Sequence, residues 1–361
     1  MITNQILQSS LDDLKTITRV DLGLFDLNGE AVVATANLQR PENAIIVAFA
    51  ESAADSQMIG SFHLLKVKEE QELIYILVAQ GFGEDTYMVG RIATAQIGRL
   101  IAAYKDKFDR NNFFQNLILD NLLLVDVYNK AKKLHIDINE SRCVYLIDTG
   151  EDMGNVVNEL LKNIFASQGG DYITSVDASS IVLIKAFDEG VTHEDMMQVA
   201  HTITDMINTE VMINVRVGFG TMVQELKHVS KSYKEARMAL DVGKIFYSEN
   251  KINSYDTLGI GRLIYQLPVS LCKMFIEEIF GDHIPDELDD ETLHTVNKFF
   301  ENNLNVSETS RQLFLHRNTL VYRIEKLQKS IGLDIRVFDD ALTLKIALMV
   351  VNYLKYLEDM D

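Results

Sequence analysis

The residues best suited to chemistry with a partner lie close together toward the end of the chain: His316, Arg317, Asn318, Thr319, Tyr322, Arg323 and Lys326. An arginine fork can pair with the two major-groove acceptors of guanine, and an asparagine amide with adenine. Threonine, tyrosine and lysine suit phosphate oxygens. His316 opens the segment, where it could touch a phosphate or simply be a turn residue. The spacing sorts the rest. Leu320, Ile324, Leu327 and Ile331 recur at i, i+4, i+7 and i+11, the apolar stripe of a helix over 316–330, and the polar residues fall on its other faces. Upstream, Asn305 is placed to cap a short helix over 306–313, with Glu308 expected to complete a capping box. Phe314 and Leu315 are left as the turn. Two helices joined tightly, with a basic polar face opening the second, have the geometry that enters a major groove. A solvated hairpin in an ordinary helical bundle has the same periodicity, which alone does not separate the two.

Charge narrows the choice of partner. The formal net charge is −19, which by itself argues against nucleic acid. Residues 305–337 nevertheless carry six Arg/Lys against three acids, a local +3 on a remainder of −22. A basic element on an acidic body is compatible with DNA, and the body would repel non-specific phosphate contact.

Other chemistries are weaker. Gly169-Gly170-Asp171-Tyr172 is reminiscent of nucleotide cyclases, whose glycine pair and carboxylates sit on a hairpin between two strands. Here that hairpin is expected over 176–180 and reads Val-Asp-Ala-Ser-Ser, without glycines or a second acid. His193-Glu194-Asp195-Met196-Met197 begins like a zinc-protease helix but has methionine where the second histidine is needed. His193 and His201 are eight apart on one helix and read as surface residues. No Walker loop, nucleophile elbow or dinucleotide fingerprint occurs, and Gly218-Phe219-Gly220 reads as a strand end. No catalytic residue, metal site or cofactor is therefore expected, and the chain reads as a non-enzyme. The two cysteines, Cys143 and Cys272, are too few for a disulfide framework or a zinc ribbon and fit a reducing cytosol. The polar first residues lack a secretory leader, and no apolar run reaches the ~18 residues of a membrane span. A cytoplasmic chain with no membrane partner is the expectation.

The elements that must position these residues read as an α+β multidomain chain. Residues 1–88 give helix (4–17), strand (20–26), a two-residue type I′ turn at Asn28-Gly29, strand (31–36), helix (42–54) and strands over 61–67 and 73–79. Residues 89–139 read as part of one long connecting helix from 88 to 135. Ile97, Ile101, Tyr104, Phe108, Asn111, Gln115, Ile118, Leu122 and Val125 step by four and three, as in a coiled-coil seam. That helix either packs on its own sheet or pairs with a second copy. Residues 140–255 alternate strand-helix-strand-strand-helix-strand-helix, with a capping box at Thr192 and Asp195. Residues 256–291 read as linker, with six acids over 281–291. Residues 292–361 read as all-helical.

Three resemblances follow. The order of elements in 1–88, with Asp26-x-x-Gly29 at the hairpin, resembles PAS/GAF-like sensor modules. The 140–255 pattern resembles a cyclase domain. The string 307–327, Ser-Glu-Thr-Ser-Arg-Gln-Leu-Phe-Leu-His-Arg-Asn-Thr-Leu-Val-Tyr-Arg-Ile-Glu-Lys-Leu, resembles the C-terminal helix-turn-helix of the sugar-diacid and purine-catabolism regulator family. In that family His-Arg-Asn-Thr-Leu and a following Tyr-Arg begin the recognition helix, here His316 to Leu320, Tyr322 and Arg323. Ser310 stands where alanine is usual. Ser232-Tyr233-Lys234-Glu235-Ala236 matches the last helix of the family's degenerate cyclase-like domain. The resemblance implies a ligand-responsive transcription regulator that binds double-stranded DNA, answers to a small-molecule effector and acts as a homodimer or higher homo-oligomer on a carbohydrate, sugar-acid or purine catabolic operon. The ligand-binding residues are not located by it; Arg40 or Arg91 could meet an anionic effector or remain surface charges. A protein-interaction scaffold, or a nucleotide cyclase, are the alternatives.

Overall fold

The computed structural model describes residues 2–69, 71–150, 153–165, 169–177, 179–281 and 289–359. The chain divides into two compact units, Met1–Phe114 and Gln115–Asp361.

The first unit is built on a five-stranded sheet of order β2-β1-β5-β4-β3, antiparallel at every pairing. Its strands are β1 (Asp21–Phe25), β2 (Ala31–Ala34), β3 (Ser56–Ile59), β4 (Phe62–Glu69) and β5 (Glu72–Gln80). Strand alternation sends Leu22, Leu24, Leu65, Val67 and Leu77 to one face. There they meet Leu7, Leu11 and Leu14 of α1 (Asn4–Thr18) and Ala93, Ile97 and Ile101 of α3 (Glu84–Ile118). Phe25, Leu64, Ile76 and Val78 face Ile46 and Phe49 of α2 (Asn43–Glu51) on the other side. The hairpin differs from the type I′ turn expected at Asn28-Gly29. Asp26 and Glu30 pair around a three-residue loop, only Gly29 takes positive φ, and the Asp26 carboxylate accepts from the Asn28 and Glu30 amides. That is a type I turn closed by a glycine bulge, selected by the aspartate side chain. The edge strand β3 has no apolar alternation to reveal it.

The single helix expected over 88–135 is two. α3 stops at Ile118, Asp120 takes a left-handed backbone with φ 63°, and α4 spans Leu124–Lys133. The Asp120 carboxylate is held by Lys234 at 2.8 Å and Ser230 at 3.4 Å. The heptad seam is therefore broken after Ile118, and its first members, Ile97 and Ile101, are spent on their own sheet.

The second unit opens with a sheet of order β10-β9-β6-β8-β7, parallel only between β9 and β10. Its strands are β6 (Ser141–Asp148), β7 (Tyr172–Ser175), β8 (Ser180–Phe187), β9 (Arg216–Phe219) and β10 (Ile252–Ser254). Helices α5 (Gly154–Phe165) and α6 (His193–Val211) cover one face through Leu161, Ala200, Ile203 and Ile207. Thr192 and Asp195 form the reciprocal capping box at the start of α6, as their spacing predicts. α7 (Val229–Phe246) covers the other face at backbone distance. A Cβ on Gly218 would lie 2.4 Å from the Ala236 carbonyl, and one on Gly220 2.1 Å from that of Ser232. The Ser-Tyr-Lys-Glu-Ala string is the clasp that holds this contact. Ser232 Oγ donates to the Thr221 carbonyl and accepts from the Val144 amide, while Glu235 accepts from both the Thr221 amide and hydroxyl.

The span 256–291, expected as linker, instead carries α8 (Gly259–Tyr265) and α9 (Val269–Phe280); residues 282–288 of it lie outside the described residues. Ile264, Cys272, Ile276 and Phe280 pack into one core with Val296 and Phe299 of α10 (Asp290–Glu301), Leu320, Ile324 and Leu327 of α12 (Arg317–Ile331), and Leu344 and Val350 of α13 (Phe338–Glu358). The Tyr265 hydroxyl donates to Asp241 of α7 at 2.9 Å and its ring lies 5.7 Å from that of Tyr353. The helical part is thereby joined to the sheet part through α7.

Candidate nucleic-acid interface

The helix pair is assembled from its caps inward. Asn305 Oδ1 accepts from the Ser307 and Glu308 amides and starts α11 (Val306–Gln312). The expected capping box is not completed, because the Glu308 carboxylate bonds forward to Arg311 and Gln312. Ser310 is buried and its hydroxyl folds back on the Ser307 carbonyl, so the close crossing that a small residue permits is kept. α11 ends with the Leu315 amide on the Ser310 carbonyl, Phe314 at φ 55° between them. His316 then caps α12, its Nδ1 accepting from the Asn318 amide at 3.2 Å. A neutral imidazole accepting at Nδ1 carries its proton on Nε2, which is left as a donor.

Leu320, Ile324 and Leu327 are buried, which orients every other side chain of α12. At 100° per residue, Asn318, Tyr322 and Lys329 point directly away from the core, with Lys326 and Thr319 beside them. All five are exposed, as are His316 and Arg317. The residues 309–324 contain no acid at all, in a chain of net charge −19. The first acid of α12, Glu325, is paired with Arg336 at 3.8 Å. Asn318, Thr319, Tyr322 and Lys326 therefore share one open face, and His316 and Arg317 are exposed at the N-terminal end of the helix.

Arg323 is the exception. It lies on the flank turned to α10, where Nη1 bonds Thr295 Oγ1 at 3.2 Å and Nη2 pairs with the Glu291 carboxylate. Thr295 is buried, so this arginine ties α12 to α10. The sequence reading passed over Lys329 and Phe314. Lys329 is seven residues beyond Tyr322, and helical periodicity was signal enough to place it on the same face. Phe314 was visible as an apolar residue in a polar turn.

The cyclase-like motifs are accounted for structurally. Asp171 is buried, where its carboxylate accepts from the Ala186 amide and Lys185, and burial pushes its pKa up. Asp177 on the β7–β8 hairpin accepts from the Ser179 amide and hydroxyl. His193 and His201 are exposed. Among the described residues no group of three or more metal-ligating side chains is found. Of the candidate effector contacts, Arg40 pairs with Glu30 at 2.9 Å and Arg91 is exposed. No helix among the described residues is long and apolar enough to cross a membrane.

Residues 292–350 match the PucR C-terminal helix-turn-helix domain and residues 122–242 a GGDEF-like domain. The chain is 25% identical to the carbohydrate diacid regulator of Escherichia coli over 315 residues, covering 79% of this chain and 78% of that protein. It is 27% identical to the purine catabolism regulatory protein of Bacillus subtilis over 170 residues, 46% of this chain. Over these stretches the chain is similar to regulators of the sugar-diacid and purine-catabolism family. It spans about a third of the Bacillus relative's length, the 32% that the match covers. Among solved structures, a regulator of polyketide synthase expression from Bifidobacterium adolescentis matches 67% of this chain and 97% of that one, at 16% identity and a TM-score of 0.34. The match over 292–350 takes in α11 and α12, and that over 122–242 takes in β6 to β9 with α5, α6 and most of α7.

Proposed function

We propose that this protein is a ligand-responsive transcription regulator that reads double-stranded DNA with α12 and acts on a carbohydrate, sugar-acid or purine catabolic operon. One observation carries the reading. The exposed residues of the first two turns of α12 include Arg317 and Asn318 but no acid, within an acid-free stretch over 309–324 of an acidic chain. Arg317 and Asn318, in the first turn, are the base-reading pair, because the N-terminal residues of a recognition helix reach base edges. His316 through Nε2, Thr319, Tyr322 and Lys326 take phosphates. Arg323 holds the helix at its angle. One helix-turn-helix touches too few base pairs to select a site, so a homodimer reading two half-sites is part of the proposal. The first unit, a PAS/GAF-like layer of helix, sheet and helix, is the effector-binding part. The effector acts by favouring one arrangement of the paired reading heads over another. The middle domain serves as a connecting body and performs no cyclase chemistry.

The test is binding of the purified chain to fragments of its own upstream region at two salt concentrations, beside Arg317→Ala/Lys326→Ala. Selective binding that weakens with salt, and a variant that loses selectivity with a salt slope lower by about 1 for the lost phosphate contact, are expected. Wild type and variant that bind all fragments equally weakly would sink the reading in favour of a protein-interaction scaffold.

A further inference from the structure

Phe314 combines two features that folding by itself disfavours. Its backbone is left-handed at φ 55°, a region that costs a residue with a β-carbon more than glycine. The conformation is locked by the hydrogen bonds that end α11, Phe314 amide to Arg311 carbonyl at 3.2 Å and Leu315 amide to Ser310 carbonyl at 2.9 Å. Its ring is 96% exposed, the most exposed large apolar side chain among the described residues. Nothing among the described residues covers it, so neither packing nor turn geometry explains a phenylalanine there. Glycine or asparagine would make the same turn at lower cost and with less apolar surface in water.

Position supplies the explanation. The ring stands two residues before the His316 cap and three before Arg317, at the end of α12 that enters the groove. Its sequence neighbours over 309–324 include no acid, so the surface around it fits a polyanion. DNA presents one prominent apolar group in the major groove, the C5-methyl of thymine, and phenylalanine is among the side chains that contact it.

We propose that Phe314 is an apolar specificity contact, its ring seated on the C5-methyl of a thymine at the edge of the half-site read by α12. This rests on the DNA-binding reading above and adds a base preference that the polar residues of α12 do not supply.

The experiment enriches sites from a random-sequence duplex library with the full chain, then measures affinity of wild type, Phe314→Gly and Phe314→Asn for the enriched site. Both variants suit the left-handed backbone and are expected to resist urea at least as well as wild type, while binding the site about ten-fold more weakly. Thymines are then replaced one at a time by deoxyuridine, which removes only the methyl. Wild type should lose about three- to five-fold at one position per half-site, the factor for one buried methyl group, and the variants should lose nothing there. Variants that bind like wild type, or that lose the same factor with thymine and deoxyuridine at every position, would overturn the proposal. A library from which wild type enriches no site would instead defeat the DNA-binding reading itself.

Discussion

Replacing Arg323 by alanine should loosen the helical core, whereas the same change at Arg317 should leave the fold intact and weaken DNA binding. Both arginines sit in the first two turns of α12. Arg323 is 26% exposed, and its Glu291 partner is 70% exposed, so their ion pair is largely solvent-screened and contributes about 0.5 kcal/mol. The bond to the buried Thr295 hydroxyl adds about 1 kcal/mol. Thr295 keeps its own bond to the Glu291 carbonyl, so its hydroxyl is not left unpaired. The expected loss for Arg323→Ala is therefore about 1–2 kcal/mol, read as a lower urea midpoint at unchanged slope. Arg317 is exposed at the first position of α12, and its removal should move stability by less than about 0.5 kcal/mol. On an enriched site it should cost about 1–3 kcal/mol, roughly 5- to 150-fold in affinity. Urea melts followed by circular dichroism, paired with fluorescence anisotropy on labelled duplex, read both quantities. Glu291→Gln is the control: it should weaken the fold slightly without weakening DNA binding. If Arg323→Ala keeps the wild-type urea midpoint and loses DNA affinity as Arg317→Ala does, the assignment of Arg323 to α10 is refuted.

Two further predictions concern the body that carries the reading head. Ser232→Ala should cost about 1–3 kcal/mol in a urea melt, because the buried Val144 amide loses its acceptor and the Thr221 carbonyl its donor. Burial, the largest cause, raises the Asp241 pKa above its ordinary value, although Tyr265, Arg237 and Lys244 favour the charged form. A raised folded pKa means that the contribution of this carboxyl is fully present below its unfolded pKa and is lost as pH rises through the folded one. Asp241→Asn should therefore gain on wild type as the pH rises above the ordinary aspartate value. An advantage that shrinks over that rise would show the carboxylate to be the preferred form.

The layout of these residues shows where local pattern suffices. The stripe Leu320, Ile324, Leu327 determined which face of α12 is buried and so which side chains remain for a partner. Thr192 and Asp195 announced their own helix start because both halves of the box lie within one turn. The Asn28-Gly29 turn and the Glu308 capping box were misread for one reason. A nearby side chain, Asp26 in one case and Arg311 in the other, competes for the same polar groups, and spacing alone does not rank the competitors.

What the sequence by itself determined is the helix pair over 306–331: its two helices, the Asn305 cap and the buried stripe are set by residues close together in the chain. Only the tertiary structure decided the rest. Arg323 is turned from the open face of α12 to Glu291 of α10, 32 residues away. The long helix breaks at Asp120, where a left-handed backbone sets the carboxylate beside Lys234, 114 residues away. The stretch expected as linker became core because Ile264, Cys272, Ile276 and Phe280 found apolar partners in α10, α12 and α13. Apolar periodicity records that a residue will be buried; which distant surface buries it is written only in the packing.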